Sequence, residues 1–129
     1  MSDLADLKRR VEEAQEDETW ELIRLVGEHL GVRDSEDLWW GKTISPLLVA
    51  DAYLDAAVAL IERVKPGFAR HVAYIPNIPT RKTDAEAKLW LPVQQTRGWK
   101  KETFIGEGKT EALALLAALL SACEQGGVK

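Results

Sequence analysis

Apolar positions recur every three or four residues along the first part of the chain. Leu4, Leu7, Val11 and Ala14 form one stripe with charges between them, which predicts an amphipathic helix capped by Ser2 or Asp3. Asp17 offers a second cap ahead of Trp20, Ile23, Val26 and Leu30, the inward stripe of a second helix that Gly31 ends. Arg33 to Thr43 has no sustained period, so it reads as a loop whose Trp39 and Trp40 tuck under the next helix. Ser45-Pro46 suits a helix opening, because serine accepts from a free amide and proline has none to leave unpaired. Leu54, Ala57, Val58, Ile61 and Val64 supply the buried face of that third helix, and Pro66-Gly67 stops it. The pattern leaves open whether it begins at Pro46 or at Asp51.

From Phe68 the period drops to two. Phe68, Arg70, Val72 and Tyr74 alternate with Ala69, His71, Ala73 and Ile75, which predicts a strand closed by Pro76. The stretch from Pro76 to Asp84, with two prolines among polar and charged residues, reads as a mobile loop. A second strand sets Ala85, Ala87, Leu89 and Leu91 against Glu86, Lys88 and Trp90. After a turn over Gln94 to Gly98, a third strand runs from Trp99 to Ile105 and hands over to the last helix at Gly106 to Thr110. That helix, through Cys123, is apolar nearly all round and must be covered on more than one side. The expected fold is therefore α+β in a single domain over 1–129. A helical N-terminal extension over 1–45 precedes an α-β-β-β-α sandwich over 46–123, with an antiparallel meander and the C-terminal helix at its centre.

Composition adds to this mainly through charge. The 129 residues carry a net charge of -4, but residues 1–66 hold 8 Lys or Arg against 15 Asp or Glu, while residues 67–129 hold 9 against 6. The acidic half is expected to lie beside the basic half or to screen it. Cys123 is the single cysteine, which excludes a disulfide within one chain and suits a reducing compartment. The charged start lacks the apolar core of a signal peptide, and the longest apolar run, Ala112 to Leu120, is far short of the roughly 20 residues of a membrane span. The expectation is a cytoplasmic protein that makes no membrane contact.

Candidate chemistry is sparse. Gly108-Lys109-Thr110 resembles the end of a phosphate-binding loop, but the glycine that loop needs five residues earlier is Thr103. Gly106 and Gly108 read as a tight turn and Thr110 as the helix cap; a second reading has Gly106, Gly108, Lys109 and Thr110 hold an anion at the helix start. His29 and His71 show no spacing that brings two metal ligands or a nucleophilic triad together, so no metal, cofactor or catalytic residue is expected. Basic residues gather in the sheet region, and Arg70, Arg81, Lys82, Lys88, Lys100 and Lys101, near Trp90 and Trp99, form a candidate nucleic-acid surface. Trp39, Trp40, Trp90 and Trp99 are more aromatic surface than a small monomer easily hides, which points to a homodimer.

Two resemblances bear on function. The topology is that of the double-stranded RNA-binding domain, but where that family grips phosphates with lysines just inside its last helix this chain has Glu111, Ala112 and Leu115. That likeness implies a fold and not duplex binding. Leu54 to Leu60 with Pro66-Gly67, followed by Gly106-x-Gly108-x-Thr110-x-Ala112-Leu113-Ala114-Leu115 and Ala118-Leu119-Leu120, is similar to the phage "ABA sandwich" domain family of bacteriophages and prophages. This resemblance implies a small phage-encoded sandwich protein without known catalytic residues, working in the host cell or with the virion. Three functions follow as expectations: a non-enzymatic accessory protein that binds a phage or host protein, a nucleic-acid binder, and a protein that sequesters a small nucleotide.

Overall fold

The computed structural model describes residues 3–32, 38–76, 83–91 and 103–125, and its centre is the last helix. In α5 (Glu111–Gln125) every residue from Ala112 to Cys123 is buried. One side packs on the sheet, chiefly on strands β3 (Thr103–Gly108) and β2 (Ala85–Trp90). Other sides meet helices α1 (Asp3–Glu13) and α4 (Tyr53–Val64). A helix covered in this way has no use for polar positions, which is why its alanines and leucines run without a period. Each buried leucine contributes about 1.5–3 kcal/mol.

The three strands form the expected antiparallel meander in the order β1-β2-β3, with β1 at Ala69–Tyr74. The third strand runs past its expected end at Ile105 to Gly108, while its expected start at Trp99 lies outside the described residues. Gly106 and Gly108, read above as a turn, are strand residues, and they lie on the inner face opposite Ala87 and Ala85. Their role is close approach. A Cβ at Gly106 would press on the Ala118 amide nitrogen and sit 2.6 Å from the Ala114 carbonyl oxygen; one at Gly108 would sit 2.8 Å from the Ala114 nitrogen. Helix and strand thus touch backbone to backbone where no side chain intervenes. Thr110 does cap α5, its Oγ1 accepting from the Leu113 amide at 3.2 Å.

The N-terminal helices share this core, since one hydrophobic cluster extends from Leu7 to Cys123. In α2 (Thr19–His29) the buried stripe is Thr19, Leu22, Ile23 and Val26, rotated from the expected one, and Trp20 is 40% exposed. Gly31 ends the helix as expected. At φ +81° it lets its own amide and that of Val32 return to the carbonyls of Glu28 and Gly27. The Trp39-Trp40 segment is helical rather than a loop, a π turn over Trp40–Ile44 that runs into α3 (Ser45–Val49). Trp40 still tucks inward, its ring against Gly27 of α2, where a Cβ would fall 2.6 Å from Cη2. Both starts left open by the sequence are used: α3 opens at Ser45-Pro46, and α4 begins after a break at Asp51, which adopts φ +58°. The Tyr53 hydroxyl donates to Asp51 Oδ1 at 3.0 Å, a bond that raises the phenol above its ordinary pKa. The buried face of α4 is Ala56, Ala57, Leu60 and Ile61, with Leu54 partly exposed.

Candidate interaction surface

Strand register sorts the sheet residues onto two faces. Toward α5 point Arg70, Val72 and Tyr74 of β1, Ala85, Ala87 and Leu89 of β2, and Phe104, Gly106 and Gly108 of β3. Away from it point three cross-strand rows: Ala69-Trp90-Thr103, His71-Lys88-Ile105 and Ala73-Glu86-Glu107. Among the described residues no helix packs across this outer face, whose Ile105 is 44% exposed and whose His71, Lys88 and Thr103 are exposed. Phe104, one residue before Ile105, is buried on the other side.

The outer face is electrically graded. Glu86 stands directly opposite Glu107 at the end nearest the β1–β2 connection, and the Thr83 hydroxyl steadies Glu107 by donating to Oε1 at 3.1 Å. His71 and Lys88 stand opposite one another in the middle row, flanked by Ile105 and by half-buried Trp90. Neighbours in such rows are about 4.5–5.5 Å apart, so a cationic, an aromatic and an aliphatic group share one patch.

The candidate nucleic-acid residues do not all meet there. Lys88 is on the outer face, whereas Arg70 is on the inner face beside Glu62 of α4, with Nη1 to Oε2 at 3.6 Å. Arg81, Lys82, Lys100 and Lys101 lie outside the described residues, as do Trp99, the turn over Gln94 to Gly98 and most of the loop after Pro76. His29 ends α2 and shares a cleft of about 360 Å³ with Cys123, and among the described residues no group of three potential metal ligands comes together.

The proposed anion site is also divided. The Glu107 amide points to the outer edge of β3, and alternation turns the amides of Gly106 and Gly108 into the ladder with β2. Lys109 and Thr110 line an open cleft of about 400 Å³ at the start of α5, shared with Glu16, Asp84 and Glu111. Three carboxylates against one ammonium make that cleft acidic. Sequence reasoning missed another feature, a cleft of about 300 Å³ lined by Trp20, Arg24, Trp40 and Val49; its signal was the Trp20 position, taken for an inward one.

Cys123 is buried, as expected of a small apolar side chain. Burial pushes its thiol above the ordinary pKa, and Lys65 opposes this in part. No described helix is long and apolar enough to cross a membrane. Comparison with family models, with curated proteins and with solved structures finds no match for the chain.

Proposed function

We infer that this is a non-enzymatic accessory protein, of phage or prophage origin, that binds a partner macromolecule across the outer face of its sheet. The observation that carries the binding reading is the patch of Ile105, Trp90, Lys88 and His71, which no described helix covers, on a sheet backed by α5. Apolar and aromatic groups ringed by charge are what partner surfaces use to gain both affinity and orientation. Phage or prophage origin rests on the two sequence blocks around α4 and α5 alone. Affinity capture from the producing cells tests the reading when run beside the double variant Ile105→Asp, Lys88→Glu. The expected result is a discrete partner held by the native protein and lost by a variant of unchanged melting temperature. A partner held equally by both overturns it.

Nucleic acid is the second reading, favoured by the juxtaposition of Lys88 and His71 with Trp90, a basic group beside a ring on which a base can stack. It predicts binding to single-stranded DNA or RNA that weakens steeply with salt. Flat titrations at low salt remove it.

A further inference from the structure

The two edges of the sheet are treated differently. Along β3 the outward amides are those of Thr103, Ile105 and Glu107, and α1 packs against this edge, its Glu12 accepting the Glu107 amide at 3.3 Å. Lys8 of the same helix holds that carboxylate at 3.7 Å. Along β1 no side chain among the described residues bonds the outward backbone groups in this way. The Ile75 amide donates to the Asp84 carbonyl at 2.7 Å, so by antiparallel alternation residues 69, 71 and 73 bond to β2 while Arg70, Val72 and Tyr74 turn their amides and carbonyls outward. Those six groups meet no hydrogen-bond partner among the described residues. The strand contains no proline, no lysine and no bulge, and the one charge it turns inward, Arg70, is paired with Glu62 of α4. Its last residue, Tyr74, is 50% exposed, and Ile75 just beyond it 51%.

We propose that β1 pairs with β1 of a second copy, antiparallel about a twofold axis at Val72, to join two three-stranded sheets into one of six strands. Only this register uses every open group. With Val72 opposite itself, Arg70 faces Tyr74 of the second copy and Tyr74 faces its Arg70, giving six backbone hydrogen bonds. A shift toward the N-terminus would call on the Phe68 amide, which already donates to the Lys65 carbonyl at 3.3 Å, and would set His71 against its own copy. A shift toward the C-terminus would call on Pro76, which has no amide. The Val72 register also keeps like charges apart and lays each guanidinium beside a tyrosine ring, a favourable cation–π pairing at both ends. The strand is thus self-complementary, as an isologous interface requires. A foreign strand would have to reproduce that match. The axis lies at the edge and not on the outer face, so this proposal and the partner-binding one stand or fall separately.

Sedimentation equilibrium of the full chain is expected to give twice its mass across the micromolar range. In that state the amides of Arg70, Val72 and Tyr74 should exchange with solvent at least about tenfold more slowly than on dilution to monomer. Tyr74→Pro removes an outward donor at an exposed position, so it should yield a monomer whose melting temperature in dilute solution matches that of the native chain. Arg70→Pro, at the strand's other exposed donor, should do the same. Should one variant fail to fold, the other and the exchange rates still decide. A native chain that stays monomeric throughout overturns the proposal, as does a dimer that survives both substitutions.

Discussion

The inner and outer faces of one small sheet are built on opposite terms. Inside, β3 gives up side chains altogether at Gly106 and Gly108 so that the backbone of α5 can rest on it, and small Ala85 and Ala87 continue the same flat floor along β2. Outside, the same strands carry Trp90, Lys88, Ile105 and His71 with no described element above them. Adjacent residues such as Ile105 and Gly106 therefore answer to different demands. One is judged by what it does to the fold, the other by what it offers to a partner.

This contrast can be broken most sharply from the side of the helix. Leu116 is wholly buried at the hub, and Leu116→Asp places a carboxylate where no described group can pair with it. The expected outcome is a chain without a cooperative thermal transition, seen by circular dichroism. Next in size is Thr110→Ala, which removes the cap on α5 and should cost about 1 kcal/mol in a denaturant titration. A smaller effect comes from pH. Because burial raises the Cys123 thiol in the folded state, the native protein holds that proton more tightly than the unfolded chain does. Its contribution is present at neutral pH and is lost as pH climbs past the ordinary thiol range, so melting temperature should fall there less in Cys123→Ala than in the native protein.

Much of this division was legible in the chain. The alternation of Ala85, Ala87 and Leu89 with Glu86, Lys88 and Trp90 announced one covered and one uncovered face, and the unbroken apolar run after Thr110 announced a central helix. Gly106 and Gly108 were misread because a glycine between a strand and a helix looks the same whether it serves a turn or a close approach. Only the position of α5 separates the two. Trp20 and Leu54 were assigned inward because each stripe, correct at Ile23 and Val26 and at Ala57 and Ile61, was carried one residue too far round the helix, an error that neighbouring apolar residues at i+2 and i+3 invite. The π turn at Trp40 has no local signature; it sets that ring against Gly27, a residue remote in sequence.

The candidate surface was less legible than the fold. Basic residues close in sequence were grouped as one patch, yet period two sends Arg70 inward and His71 outward, and cross-strand register depends on connections that a sequence does not measure. The open edge of β1 was invisible for the same reason. Its significance comes from the comparison with β3, which α1 guards.

Two neighbouring substitutions test the difference between the faces most directly. Gly106→Ala and Ile105→Thr alter consecutive residues of β3, and urea unfolding followed by tryptophan fluorescence reads both. Gly106→Ala, which drives a methyl group into the backbone of α5, is predicted to lose about 3 kcal/mol or more, at or beyond the upper end for overpacked cores, while Ile105→Thr stays within about 0.5 kcal/mol of the native protein. Equal losses for the two, or a Gly106→Ala protein as stable as the native one, would contradict the account.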